Sequence, residues 1–212
     1  MLIVIVSIMI LLSAAIHIRA EYDGPRWRVY LFKPLTTLLI IGLAGTGVEP
    51  PIPFYTLAIL VGLACSLAGD VFLMLPQDRF IAGLVSFLLA HLCYTAAFVA
   101  GVGFRLSGWL LLIFVAYGLI LLRVLWPHLH RLRIPVSLYA LAIIVMGWQA
   151  CERWLYLADR GAFLAALGAI LFTLSDSLLA YDRFVNRFRQ ARLLVLSTYF
   201  AAQWLIALSV SA

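Results

Sequence analysis

Gly62–Phe80, GLACSLAGDVFLMLPQDRF, is fit for lipid along most of its length yet carries an aspartate, Asp70, about a turn and a half before its apolar run ends at Leu75. Desolvating a carboxylate is expensive, so a carboxylate inside such a run marks a candidate functional site. Gly168–Phe184, GAILFTLSDSLLAYDRF, repeats the pattern. A Gly precedes an Asp by eight residues in each, Gly62 before Asp70 and Gly168 before Asp176, and Asp78-Arg79-Phe80 and Asp182-Arg183-Phe184 follow.

The rest of the chain has the same character. Its 212 residues are 66% hydrophobic and 11% charged, with mean hydropathy +1.10, far from the roughly 25% charged residues of a soluble domain. We read residues 1–212 as a single transmembrane domain. A spanning helix needs about 20 mainly apolar residues. Eight windows qualify: 2–18, 31–47, 54–75, 81–103, 107–126, 135–151, 162–181 and 192–211. Turn residues or polar clusters separate them, as at Asp23-Gly24-Pro25, Glu49-Pro50-Pro51-Ile52-Pro53, Pro76-Gln77-Asp78, Leu106-Ser107-Gly108, Pro127-His128, Asp159-Arg160-Gly161 and Asn186-Arg187. No window alternates with period two, which excludes a barrel. The fold class is all-α, a polytopic bundle of eight transmembrane helices. Met1–Ile18 has no positive n-region and reads as a retained first helix, not a signal peptide.

Eight spans place both termini on one side. Arg19, Arg26, Arg28, Lys33, Arg79, Arg123, Arg131, Arg133, Arg183, Arg187, Arg189 and Arg192 flank the loops after the odd-numbered spans, against Arg105, Arg153 and Arg160 on the other side. The positive-inside rule then puts both termini outside and the Arg-rich loops in the cytoplasm, as expected for a bacterial inner-membrane protein. It also accounts for the net charge of +6 without nucleic acid. Spans three and seven run in the same direction, so the two copies suggest a 4+4 parallel repeat, with Lys33-Pro34-Leu35-Thr36 and Ile134-Pro135-Val136-Ser137 as a weaker echo. About a pseudo-two-fold axis along the membrane normal, Asp70 and Asp176 would face each other in the cytoplasmic half.

Asp70 and Asp176 are the candidate catalytic pair. Burial favours the neutral carboxyl and two close carboxyls tend to share one proton, which leaves one acid and one carboxylate for general acid and base work. The alternative is that each only bonds a neighbouring helix. His91 and Tyr94 lie three apart in span four, and Tyr199 and Gln203 four apart in span eight. Each pair either lines a substrate cavity or ties its helix to the bundle. Lys33, just before Pro34, is either a phosphate clamp or a snorkelling anchor. Gly62 with Ser66, and Gly161 with Ala165 and Ala169, would let spans three and seven approach closely. Trp27, Trp109, Trp126, Trp148 and Trp154 fall near span ends, as aromatic belts do. Cys65, Cys93 and Cys151 have neither disulfide nor zinc spacing. No metal, cofactor or protein partner is called for. An intramembrane aspartyl protease needs GxGD, and Leu67 stands at its first glycine; no HExxH, GxSxG or P-loop occurs.

Taken together, Lys33-Pro34-Leu35-Thr36, Ser66 to Met74, Phe80 with Gly83 and Phe87, Ala90-His91-Leu92-Cys93-Tyr94, Pro135 with Leu138-Tyr139-Ala140, Phe172 to Ala180 and Thr198 to Ile206 form an ordered set of motifs over nearly the whole length. In this the chain resembles the YhhN-like family of multispanning membrane proteins, which includes the lysoplasmalogenases. The resemblance implies hydrolysis of the vinyl ether bond of lysoplasmalogen, a lysophospholipid taken from the membrane, to a fatty aldehyde and a glycerophospho-ethanolamine or glycerophospho-choline. Such a bond breaks by proton transfer to the alkenyl carbon remote from oxygen and capture of the oxocarbenium ion by water, which suits one protonated and one ionised aspartate. By analogy, glycosidases divide the same labour between two carboxyls. The lipid would enter sideways from the cytoplasmic leaflet, its phosphate near Lys33. A proton-coupled transporter using Asp70 and Asp176 as a relay is the rival from another class, since paired carboxylates and a parallel repeat also describe a relay.

Overall fold

The computed structural model describes residues 1–46, 53–77 and 79–211, which are helical with no strand. Its helices are α1 (Leu2–Asp23), α2 (Arg26–Gly45), α3 (Phe54–Met74), α4 (Phe80–Val99), α5 (Gly108–Leu125), α6 (Arg133–Leu157), α7 (Arg160–Phe184) and α8 (Ala191–Leu208). All eight are long and apolar enough to cross a membrane, as the window count expected. Residue 47 at the end of the second window, Glu49-Pro50-Pro51-Ile52 and Asp78 lie outside the described residues.

The ends differ from the windows for a physical reason. Counting apolar residues stops at charges, whereas a helix continues through charges that find partners. Hence α2 begins at Arg26, and Lys33 lies two turns inside it, ahead of Pro34. Helix α6 likewise runs past Cys151 to Leu157. There Glu152, 2% exposed, accepts from Ser107 N at 2.6 Å, Ser107 Oγ at 2.7 Å and Trp148 Nε1 at 2.9 Å. Gln149 pairs with the backbone of Arg105 at 3.2 and 2.9 Å, and Arg153 donates to Ala100 O at 2.7 Å. These bonds staple the α4–α5 connection to α6 at the end away from the arginine cluster. The turn at 159–161 holds as expected: Ala158 takes a left-handed φ of 53° and the Asp159 carboxylate caps α7 by accepting from Ala162 N at 2.7 Å.

Helix α3 packs on α4 and α7 on α8; α6 lies against α4 and α7, α2 against α3 and α8, and α1 against α2. Ile40, Leu43, Ile59, Leu63, Phe98, Phe172 and Ile206 fill the centre with no exposure above zero. Helix α5 is peripheral: it buries Leu110, Gly118 and Leu125 but leaves Leu112 70% and Ile120 65% exposed, as lipid-facing residues are.

The small residues bring together different helices from those expected. A Cβ on Gly69 would meet the Phe87 ring at 2.6 Å, so α3 approaches α4 there. A Cβ on Gly168 would stand 2.9 Å from Ala202 O, so α7 approaches α8. Close packing is within the pairs α3–α4 and α7–α8, with no comparable interface between α3 and α7 among the described residues. The Phe87 ring fills the groove at Gly69, and Ile206 and the α8 backbone fill the one at Gly168.

Candidate active site

Lys33 and Thr37, one turn apart, present one face of α2 to α3. Asp70, 1% exposed, receives both: Thr37 Oγ1 donates to its Oδ2 at 2.8 Å, and Lys33 Nζ stands 3.4 Å from its Oδ1. From α8, Tyr199 OH donates to the same Oδ2 at 2.8 Å. A buried charge is tolerated when it is paired and its lone pairs are filled, and Asp70 meets both conditions. Lys33 itself is only 9% exposed. Two turns of helix precede it, its ammonium is directed to Asp70, and it lines the chamber that holds both aspartates.

Tyr199 is held in its turn. Gln203 Nε2 donates to Tyr199 OH at 3.3 Å, Tyr94 OH donates to Gln203 Oε1 at 2.7 Å, and Ser66 Oγ is 3.4 Å from Tyr94 OH. The amide sets the direction, because its N–H occupies a lone pair of Tyr199 and its carbonyl takes the Tyr94 proton. Each phenolic proton therefore points toward Asp70. Tyr94 and Gln203, both unexposed, support this chain behind the cavity wall.

Asp176 on α7 is built differently. Tyr139 OH of α6 donates to its Oδ2 in a short hydrogen bond, and His91 Nε2 of α4 lies 3.6 Å from the same oxygen. The buried His91 ring packs edge-on to Phe172 and Tyr139, with centroids 4.8 and 5.1 Å away. Neither of its nitrogens has a hydrogen-bond partner among the described residues. His91 and Tyr94 thus share a helical face yet serve different aspartates. Among the described residues no Lys or Arg forms a salt bridge with Asp176, and its side chain keeps 12% exposure.

Two cavities meet at Asp176. One, of about 270 Å³, holds both aspartates with Lys33 and Tyr199, and extends toward the arginine-rich end past Glu21, Asp182 and Arg192. The other is a narrow cleft of about 50 Å³ among α4, α5, α6 and α7, lined by Leu84, Leu121, Val136, Ile143 and other apolar side chains. Leu73, Phe87, Asp176 and Leu179 belong to both walls. The two carboxyls thus face one space, although no hydrogen bond joins them among the described residues. A chamber that gathers charged side chains and shares a wall with an apolar slot suits a molecule with a polar and an apolar part, with Asp176 at the junction.

Sequence reasoning singled out Asp70, Asp176, Lys33, His91, Tyr94, Tyr199 and Gln203, and all seven fall into these two connected clusters. It gave no role to Thr37, one residue beyond the Lys33–Thr36 motif, and named Tyr139 only within a motif. Hydroxyls at one-turn spacing from a marked lysine were the available signal for Thr37.

Residues 28–210 match the YhhN family. The chain is 32% identical over 203 residues to a protein of Escherichia coli O157:H7 named uncharacterized membrane protein YhhN, covering 96% of this chain and 97% of that one. It is 38% identical over 187 residues to the human protein named lysoplasmalogenase TMEM86B, covering 88% and 77%. With the Bos taurus protein named lysoplasmalogenase TMEM86A it shares 36% over 202 residues, covering 88% and 80%. No solved structure matches.

Proposed function

The chain belongs to the YhhN family, and on that premise we propose that it is an integral membrane hydrolase that cleaves the vinyl ether bond of lysoplasmalogen. The relatives named lysoplasmalogenases support the reaction class. The observation that carries the reading is the position of Asp176, on the wall common to a chamber that gathers charged side chains and an apolar cleft. In a lysoplasmalogen the vinyl ether lies at the junction of polar headgroup and alkyl chain. The cleft is narrow, so the chain enters by displacing the side chains that line it.

Asp176 is the acid and Asp70 the base. Lys33, at 3.4 Å, balances a carboxylate at Asp70, and Thr37 and Tyr199 both donate to it. Asp176, with no such cation among the described residues and one wall of hydrocarbon, carries the proton. It passes that proton to the alkenyl carbon remote from oxygen, the double bond is consumed, and an oxocarbenium ion forms beside the Asp70 carboxylate. Water adds to the cationic carbon while Asp70 takes a water proton, giving a hemiacetal. Collapse returns the Asp70 proton to the departing glycerol oxygen, and the hemiacetal hydroxyl proton goes back to Asp176. Both groups regain their starting states, and the net reaction adds one water.

The hydrogen-bonded chain from Ser66 to Asp70 favours a proton relay instead. It stops at Ser66, twelve residues from the Phe54 end of α3, or roughly 18 Å of helix. With the cytoplasm at the arginine-rich end, both aspartates serve the inner leaflet and both termini face outward.

Purified protein supplied with lysoplasmalogen in D2O tests the reading. Aldehyde carrying one deuterium on the carbon next to its carbonyl is the expected product. Absence of aldehyde from wild type, or near-normal rates in folded Asp70→Asn and Asp176→Asn, would overturn it. Uptake into proteoliposomes driven by a pH gradient and lost in Asp70→Asn would favour the relay.

A further inference from the structure

Arg192, at the start of α8, stands where three cavities meet. It lines the chamber that holds the aspartates, a groove of about 410 Å³ beside Gly24, Arg26 and Pro76, and a groove of about 480 Å³ beneath the α7–α8 turn. Its side chain is 63% exposed. Its Nη1 donates to Glu21 O at 2.6 Å and lies 3.6 Å from Glu21 Oε2, which secures the C-terminal turn of α1 against α8. The remaining guanidinium donors are available to a ligand.

The charges are ordered along the path from Asp70 outward. Lys33 is matched to Asp70. Next come Glu21 and Asp182, which line the chamber together with Arg192. Arg187 and Arg189 then line the outer groove beside Arg192 and Asp182. Both carboxylates have a polar neighbour on their far side. The other oxygen of Glu21 lies 3.9 Å from Nε2 of His17, a buried ring whose nitrogens have no hydrogen-bond partner among the described residues. Asp182 accepts from Phe188 N at 3.1 Å. A purely anionic headgroup reaching Arg192 would lie beside two carboxylates, and a neutral one would leave the guanidinium without an anion. A phosphodiester carrying a primary ammonium matches both signs.

We propose that Arg192, with Glu21 and Asp182, forms a headgroup subsite for a phosphoethanolamine-type zwitterion at the mouth of the chamber. Arg192 takes the phosphate, from the side of Arg187, and the two carboxylates accept N–H bonds from the ammonium. A quaternary ammonium has no N–H to give, so it is held less tightly. This assignment rests on the lysolipid hydrolase reading, but it is measured by binding and does not need turnover.

The probes are three saturated alkyl ether lipids of equal chain length, none of which the vinyl ether reaction can cleave: an alkyl-glycerophosphoethanolamine, an alkyl-glycerol phosphate and an alkylglycerol. Full-length protein in detergent is titrated with each by calorimetry. Wild type is expected to bind the phosphoethanolamine lipid about tenfold or more tightly than the other two, a gain of about 1.4 kcal/mol per tenfold. Arg192→Gln removes the advantage of both phosphate lipids over alkylglycerol, while Arg192→Lys restores part of it. Glu21→Gln with Asp182→Asn removes the advantage of the ammonium and leaves that of the phosphate. Equal wild-type affinities for all three lipids overturn the proposal, and so does an Arg192→Gln variant weakened equally toward all three, because a structural role alone does that. Lipid selectivity in a protein that releases no aldehyde from lysoplasmalogen would refute the catalytic reading and leave the subsite standing; aldehyde release without selectivity does the reverse.

Discussion

The surroundings of Asp70 and Asp176 are built alike and charged differently. Each aspartate is reached by a hydroxyl from the helix before its own, Thr37 of α2 or Tyr139 of α6, and by a ring from the last helix of the other four, Tyr199 of α8 or His91 of α4. This correspondence supports the proposed four-plus-four repeat. The main difference is a cation. In the echo between Lys33–Thr36 and Ile134–Ser137, the place of Lys33 is taken by Ile134, which is 74% exposed and directed away from the core. One residue thus separates a carboxylate with a cation beside it from one without such a partner among the described residues, which is the basis of the opposite roles proposed for the two.

The largest effect that can break this comparison is catalytic. Proton transfer to carbon is the demanding step of vinyl ether hydrolysis, so Asp176→Asn should cost about 10⁴-fold in kcat and Asp70→Asn about 10²-fold, the two ends of the usual range for acid–base groups. Aldehyde release measures both, and the reverse order would exchange the assigned roles. Next comes stability. Lys33→Met leaves a carboxylate buried without its cation and should destabilise by about 3–5 kcal/mol. Lys33→Met with Asp70→Asn should recover most of that loss in thermal unfolding, whereas Ile134→Met should change little. A double variant no more stable than the single one would mean that Lys33 does not serve Asp70.

Two smaller effects sharpen the contrast. Tyr139→Phe and Tyr199→Phe each remove one donor to a carboxyl, worth about 1.5–3 kcal/mol when the acceptor is charged. The Tyr199 change should therefore slow turnover about tenfold by weakening support for the proposed base, and the Tyr139 change should act less through kcat if its acceptor is neutral as proposed. Equal kcat losses would argue that both carboxyls are charged in the resting protein. The smallest is Gln203→Leu, which removes no contact to Asp70 but frees the Tyr199 proton to turn. A loss of about threefold in kcat with KM unchanged is expected, and a change in KM alone would move Gln203 to the substrate surface.

The aspartates were legible because a charge amid apolar residues is conspicuous whatever surrounds it. The eight helices were legible because bilayer thickness sets their length. Lys33 was visible but its depth was not: counting from residue 31 set it at the edge of a span, because the arginines at 26 and 28 interrupt the apolar count while the helix runs on through them. Thr37 and Tyr139 gave little warning, since hydroxyls are ordinary in membrane helices and only packing decides which of them meets a carboxyl. The glycine and alanine stripes correctly indicated close approach but not between which helices, because a smooth face does not name its partner. Arg192, Glu21 and Asp182 merged with the loop charges that orientation already explained.

The staple formed by Gln149, Glu152 and Arg153 has a consequence for traffic. It lies at the end opposite the one toward which the chamber extends, so the chamber's neck is at the arginine-rich end. Water for the reaction and the phosphate-bearing product would share that neck in opposite directions. The aldehyde, left beside the apolar cleft, would drain sideways into the bilayer, so that the two halves of the substrate part company by solubility as soon as the bond between them is gone.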